Sequence, residues 1–477
     1  MGSLSGLLAQ TSSALNVFEQ ALSVVQNNVN NANTPGYASQ RLNLVPLALE
    51  PNGGLDGGVT SQGLINTRDP YAEDSVQSAT QLLGMYTAQA QTTGSLQSFF
   101  NVDGTSGLPA AITGLFQAFS AWSTTPTDAT AQQNVISSAE GVASNMQQLS
   151  NSLSQTSQQV DSQIGCTVTA INNIAGEIQQ YNVRKMGNSA TDPAADAQLY
   201  SNLQSLSQLV NFTAVTQSDG TVSVMLSGGT PLVTGDTANP LSASDFVDSQ
   251  PPPANPNSPP TAHILDSNGN DVTAQITSGQ LGGLLDMRNH ALASYLGDAQ
   301  QQGSLNQLAQ TLADTVNGIL ESGTVSTQEG AANGIALFTY SSADATDAAA
   351  TLAVNAAITP AQLAPVDASG NANGNANALA ALGSAASIDG ASFTQFYGQM
   401  ASNIGQENST ASANETTQTQ VVSQATSLRD SVSGVSLNDQ AAQVMEFQQA
   451  YQAGAEVLSV LNTLAQATLD IIQPTTA

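Results

Sequence analysis

Residues able to do acid–base, nucleophilic or metal chemistry are few in this 477-residue chain. It holds two histidines, His263 and His290, far apart in sequence and in no H-E-x-x-H pair. His263 falls in an expected strand and His290 beside Arg288 in an expected helix, so both read as structural residues. A single cysteine, Cys166, allows neither an intrachain disulfide nor a zinc site. It follows Gly165 among apolar helical positions and reads as a small buried hydrophobe. There is no C-x-x-C, no G-x-S-x-G and no P-loop. The run Asp266-Ser267-Asn268-Gly269-Asn270-Asp271 resembles the start of a calcium loop, but it lacks the glutamate that such loops carry at position 12. A β-turn explains it better. Gly53-Gly54, Gly57-Gly58 and Gly282-Gly283 lack dinucleotide-binding spacing and read as turns and close-packing sites. No catalytic, cofactor-binding or metal residue is therefore expected, and no cofactor. The chain reads as a non-enzyme.

Charge narrows the partners. Six Lys plus Arg stand against 35 Asp plus Glu, for a net charge of −29, and Lys185 is the only lysine. Such a chain cannot neutralise a phosphate backbone, which excludes nucleic acid. Anionic membrane surfaces are disfavoured for the same reason. No run approaches the roughly 18 apolar residues of a membrane span. Met1 to Val29 lacks the basic and continuous apolar regions of an ordinary signal peptide, so a protein that leaves the cell would need another route. Hydrophobic residues make up 40% and aromatic residues 4%, with Trp122 alone of its kind. Cores built from Ala, Val, Leu and Ile suit thin helical bundles.

The two chain ends carry the strongest pattern. Leu4, Leu8, Leu15, Phe18, Leu22, Val25, Val29 and Ala32 follow alternating steps of four and three, with Thr11 filling a gap, as a coiled-coil seam does. Pro35 and Gly36 stop this helix. Leu437, Ala441, Val444, Tyr451, Ala455, Leu458, Ala465, Leu469 and Ile472 repeat the pattern. Gln448 and Asn462 interrupt it, and Phe447 and Leu461 widen it. Ser436 with Asp439 forms the capping box at its start, and Pro474 ends it. Each helix would be on the order of 45–50 Å long. Matched seams at opposite ends are expected to pair, and a two-helix pair leaves apolar surface that needs further partners.

Between them the spacing predicts an inner helical layer. Asp69-Pro70 opens a helix to about residue 100, and others follow at 107–122, 128–185, 194–210, 281–321 and 392–433. The middle changes period. Phe212 to Val233 alternates around Ser218-Asp219-Gly220 and Gly228-Gly229, and Thr261 to Ile276 reads as another strand pair. The prolines from Pro251 to Pro260 read as a stiff linker, and Asn371 to Asn377 as a flexible loop. The expected fold is mainly α with a β insertion: paired terminal helices, a nested elongated helical bundle and a small β domain in the middle. The divisions are an N-terminal assembly helix (1–35), inner helical domain (36–210), β-rich outer domain (211–280), returning helix (281–321), variable Ala/Gly/Asn-rich segment (322–387), inner helical domain again (388–436) and C-terminal assembly helix (437–477).

One motif points to a family. Asn30-Asn31-Ala32-Asn33-Thr34-Pro35-Gly36-Tyr37, directly after the first helix, resembles the A-N-x-x-T-P-G-Y signature of flagellar rod, hook and hook-associated proteins. The family-motif residues are Ala32, Asn33, Thr34, Pro35, Gly36 and Tyr37. Near the other end, Ser433-Gly434-Val435-Ser436-Leu437 leads into Phe447-Gln448-Gln449-Ala450-Tyr451-Gln452-Ala453, which resembles the FlgK family of hook-associated proteins. Pro126-Thr127-Asp128 and the run Ile171-Asn172-Asn173-Ile174-Ala175 with Ile178 and Asn182 are similar to that family's inner helices, and Leu281-Gly282-Gly283-Leu284-Leu285 with Arg288 to its re-entry helix after the β domain. Gln132 and Gln133 depart from it where an arginine is common, and Asp439-Gln440 where two acidic residues are common.

The resemblance implies a self-assembling structural subunit at the hook–filament junction of the bacterial flagellum, needed for filament attachment and motility. The assembly interface would comprise Leu4, Leu8, Leu15, Phe18, Leu22, Val25 and Val29, with Leu437, Val444, Phe447, Tyr451, Leu458, Leu461, Leu469 and Ile472. Its partners would be further copies in a ring, the hook protein, a neighbouring hook-associated or filament-junction protein, and a cytoplasmic export chaperone on the C-terminal helix. Export through the flagellum's own type III channel would take it from cytoplasm to cell exterior. Two alternatives remain: a hook or distal-rod protein, and a secreted adhesin with a coiled-coil stalk.

Overall fold

A computed structural model describes residues 2–48, 57–100, 104–187, 192–246, 260–341 and 345–472. Helix α1 (Gly2–Asn30) is followed by an antiparallel hairpin, β1 (Gln40–Leu47) and β2 (Gly58–Asn66), with a bulge between Leu42 and Leu44. The sequence reading placed this stretch within a helical domain. Its alternation of Leu42 and Leu44 with Arg41 and Asn43 is a strand period that a helical assignment overlooks.

The inner bundle comes next: α2 (Pro70–Gln97), α3 (Gly107–Thr124), α4 (Ala129–Gly187) and α5 (Pro193–Leu209). The starts of α2 and α5 repeat one device. Asp69 accepts from the Tyr71 and Ala72 amides, and Asp192 from the Ala194 amide at 3.0 Å, each before a proline at the first helical position. Helix α4 runs 59 residues, about 90 Å. It forms the spine against which the other layers pack.

The β insertion is a four-stranded antiparallel meander, β3 (Phe212–Thr216), β4 (Val222–Leu226), β5 (Pro231–Thr234) and β6 (Thr237–Ala238), beside a two-stranded ribbon, β7 (Ser242–Phe246) and β8 (Thr261–Leu265). The expected strand pair over 261–276 does not form. Strand β8 pairs with β7, and after it only the Leu265–Asp271 bridge remains. Asp266 accepts from the Asn268 and Asn270 amides, and Asp271 from the Thr273 amide, which turns the chain out of extension. Of the proline-rich linker only Pro260 is described. Two buried or half-buried asparagines of α4 hold the insertion. Asn182 donates to Val222 O and accepts from Val222 N, and Asn172 does the same with Leu241.

The helix expected over 281–321 is broken. Helix α6 (Gly279–Asp286) passes through a π turn, Met287–Ala291, into α7 (Leu292–Leu296), and α8 (Ser304–Glu321) follows a loop. In the widened turn Arg288 reaches Asp161 of α4 at 2.6 Å and Pro260 O, while Asn289 bonds both backbone groups of Ala262. Asp298 accepts from the Gln300 and Gln301 amides, a local turn that competes with the helix.

The Ala/Gly/Asn-rich segment is packed, with β9 (Phe338–Thr339), α9 (Ala348–Thr351), β10 (Ala353–Val354) and α10 (Gly374–Ala381). Helix α10 occupies much of the stretch read as a flexible loop. Asn375 is buried and donates to Ile319 O, and Leu379 is wholly covered. Low-complexity composition misleads because alanine lets helices approach closely. Helix α11 (Phe393–Ser433) returns antiparallel along α2, tied by Thr87–Glu415, Thr93–Asn408 and Gln418–Ala79 O bonds. Helix α12 (Leu437–Ile472) closes the described chain.

The apolar core lies where α3, α4, α8 and α10 meet. Trp122, Phe119, Met146 and Leu153 are fully buried there, and the indole N–H of Trp122 donates to Pro126 O. None of the described helices is long and apolar enough to cross a membrane.

Candidate assembly site

Helices α1 and α12 pair antiparallel. Near one end Asn28 meets Gln440, and further along Leu15 packs on Gly454, where an added Cβ would lie 2.9 Å from Leu15 Cδ2. These two contacts bring Leu22 level with Phe447, and Leu8 with Leu461. On α1, Leu4, Leu8, Leu15, Phe18 and Leu22 are half-buried and Val25 is buried. On α12 the covered stripe is Gln440, Val444, Phe447, Gly454, Leu458, Leu461 and Ala465. It runs through Gly454 rather than Ala455 because the close approach of Leu15 needs a residue without a side chain.

Six expected seam residues lie outside this contact: Val29, Leu437, Ala441, Tyr451, Ala455 and Leu469 are all exposed. Val29 is exposed because Asn28 takes the inward position beside it. Leu437 and Tyr451 are likewise exposed. Leu469 continues the stripe past the described end of α1 and is more than half exposed. The side chain of Ile472 lies outside the described residues. A second face of α1, with Val17, Ala21 and Asn28 buried, carries the β1–β2 hairpin. Gln10 lies against Gly58, and Asn28 bonds Gln40.

The segments that leave α1, enter α2 and enter α12 converge. The Ser39 amide donates to Ser433 O, the Thr67 amide to Ser39 O, and the Asp69 amide to Ser433 Oγ. Arg68 anchors the joint. Its side chain is 6% exposed; it pairs with Glu73, 8% exposed, and donates to Gly36 O. Its guanidinium lies 3.6 Å from the Tyr200 ring centroid. Arg429 adds a bond to Gln204 and lies 3.9 Å from the other Glu73 oxygen.

The family comparisons bear on this arrangement of chain ends around a helical bundle. The family model of the flagellar hook-associated protein FlgK helical domain matches residues 93–338, more than half of the chain. The chain belongs to the FlgK family of flagellar hook-associated proteins. A second model, that of the flagella basal body rod protein, matches residues 10–37, most of α1 and the signature. Flagellar hook-associated protein 1 of Salmonella typhimurium is 24% identical over 565 aligned positions, covering 98% of this chain and 100% of the relative. That of Escherichia coli is 25% identical over 560 positions with the same coverage. Both alignments exceed 477 positions, so these relatives carry segments that this chain lacks. A solved structure described as the flagellar hook junction protein FlgK from Burkholderia pseudomallei superposes with TM-score 0.61 at 19% identity, over 75% of this chain and 99% of its own. That likeness supports the fold.

The signature after α1 now has a physical form. Thr34-Pro35-Gly36-Tyr37 is a type II turn: Tyr37 N donates to Thr34 O, with proline second and Gly36 third at φ +73°. A Cβ on Gly36 would also sit 2.2 Å from Ala197 O, so the turn lies directly on α5. The Tyr37 hydroxyl donates to Asn28 Oδ1, and burial pushes its phenol above the ordinary value. Ala32 is half-buried, whereas Asn33 and Pro35 face solvent.

The sequence reading missed Asn28, Gln440 and the Arg68–Glu73–Arg429 cluster. A signal was present: with six bases in the chain, each arginine beside a helix end is informative. It also missed a second apolar stripe on α12. Val457, Val460 and Leu464 are each more than half exposed.

The remaining chemical residues fall elsewhere. Cys166 is exposed, which corrects the buried assignment, because its flanking apolar residues turn inward without it. His263 bridges Asp271 at 2.7 Å and Thr261 at 2.8 Å, pinning β8 to its turn. Burial opposes ionisation of Asp271, but bonds from Thr273 and His263 outweigh it and hold the carboxyl below its usual range. His290 bonds Asp286 one helical turn away. Among the described residues no cluster of three potential metal ligands occurs.

Proposed function

We propose that this chain is the structural subunit of the junction layer between flagellar hook and filament. It would assemble through its terminal helices, without catalytic chemistry, and support filament attachment and motility. The observation that carries this reading is the unpaired stripe Val457–Val460–Leu464 on a helix already paired along its other face. A helix apolar on two sides is complete only when a second partner covers it. Other copies in a ring, the hook protein and the next hook-associated layer are the proposed neighbours. The side chains from Leu4 to Val29 and from Leu437 to Ile472 given above are the proposed interface, now with the outer stripe added. A cytoplasmic chaperone covering α12 before type III export would keep that stripe from associating early. The division into a terminal assembly pair, inner bundle and outer β insertion belongs to the same reading, with the insertion facing outward.

Deleting residues 438–477 tests it. The expected product is a soluble subunit with its inner bundle intact that leaves hooks bare of filament in electron micrographs. Filament growth at normal length on that truncation would sink the reading. The match of residues 10–37 to a rod-protein model favours one second reading, a hook or distal-rod subunit. Antibody label confined to the hook–filament boundary supports the junction, whereas label along the hook or rod supports the alternative.

A further inference from the structure

We infer that Asn28, through Gln440, selects which face of α12 turns inward and therefore which face remains free. Apolar content alone does not complete that choice. The inward stripe carries Val444, Phe447, Leu458 and Leu461 with the close approach at Gly454, but Val457, Val460 and Leu464 offer a second apolar stripe on the same helix, and apolar contact is non-directional. The short connection Gly434–Ser436 fixes where α12 begins along α1 but leaves rotation about its own axis open.

Asn28 is 0% exposed, and every one of its amide groups is engaged. Oδ1 accepts from Gln40 N and from the Tyr37 hydroxyl; Nδ2 donates to Gln40 O and to Gln440 Oε1. Three of these bonds go to Tyr37 of the signature and Gln40 at the start of β1, so the amide is already oriented before α12 arrives. The fourth reaches Gln440, the one buried side chain of α12 among the described residues. Turning α12 to bury the other stripe would carry Gln440 away and leave a buried N–H without an acceptor. A buried amide in an otherwise apolar helix seam fixes geometry in this way. The selection is a property of the free subunit. Only the use made of the outer face rests on the junction reading, so the two can fail separately.

Thiol labelling of the full-length subunit tests it, with Cys166→Ser as background. Neighbouring α12 positions report the two stripes: Val460→Cys the outer, Leu461→Cys the inner. With Gln440 in place, the outer thiol is expected to react about tenfold faster than the inner. Gln440→Leu should bring the two rates to within about twofold while helix content by circular dichroism is retained. Gln440→Glu, which keeps the acceptor, should restore the difference. A merely structural position predicts the reverse for leucine, since a buried apolar residue there would keep or tighten the pair. Equal rates with Gln440 in place, or an unchanged difference in Gln440→Leu, would overturn the inference.

Discussion

The inner bundle and the terminal pair are both helical, yet they are held together in opposite ways. At the centre of the bundle Trp122, Phe119, Met146 and Leu153 are fully enclosed, and Phe116 stacks on Phe393 at 5.9 Å. On α12 every described apolar side chain keeps solvent contact, and the one buried side chain is an amide. The bundle is finished by its own core. The terminal pair is positioned by polar contacts, Asn28–Gln440 at one end and the Arg68 cluster beneath, while its apolar surface stays incomplete. Burial gives strength without direction, and hydrogen bonds give direction with modest strength.

The largest expected effect is in amide exchange. Amides of α3, α4 and α8 should exchange orders of magnitude more slowly than those of α12, because the pair opens without the bundle. Equal protection in free subunits would abolish the contrast. Next, Phe119→Ala should cost about 3–5 kcal/mol in denaturant unfolding, whereas Leu464→Ala should stay within about 0.5 kcal/mol. A large loss from Leu464→Ala would mean that the outer stripe is already covered in the free subunit. Third, Glu73→Ala leaves Arg68 enclosed without its carboxylate and should cost about 3 kcal/mol. Exchange should rise around residues 36–40 and 433–435 while α4 is unaffected; a uniform rise would merge the joint with the core.

The smallest effect concerns the acidic turns of the outer layers. Asp266 is held below the ordinary carboxylate value by bonds from the Asn270 side chain and amide, and Asp367 by the matching bonds from Asn371. A depressed folded value means that the contribution is present above the unfolded value and lost as pH falls through the folded one. Carboxyl chemical shifts of both should therefore titrate with midpoints below about 3.9. Asn371→Ala should move the Asp367 midpoint upward, and a midpoint unchanged by that substitution would remove the side-chain bond from the explanation.

Local signals carried far where each residue acts on its own neighbours. Asp69-Pro70, and Ser436, whose hydroxyl accepts from the Asp439 amide at 3.3 Å, mark helix starts in sequence and in structure alike. Thr34-Pro35-Gly36-Tyr37 stops α1 as its residue types require. The heptad pattern located both terminal helices but rotated the α12 seam slightly, because counting apolar residues is blind to Gly454, the residue that admits Leu15. Asn28 was passed over for a similar reason: a polar residue in a seam looks like an interruption until its partners are known. The His263–Asp271 contact and the packed segment around Asn375 depend on turns that composition does not reveal.

By itself, the sequence determined the helical ends, the signature turn between α1 and the hairpin, the change of period in the middle and the family likeness. All of these rest on contacts within a few residues or on repeats that a chain displays in order. Only the tertiary structure decided which face of α12 turns inward, that Asn28 and Gln440 meet, and that Arg68 draws Gly36, Glu73 and Tyr200 into one joint. Those outcomes depend on distance in space between residues as many as 412 positions apart, and on one glycine whose missing side chain sets how closely two helices approach.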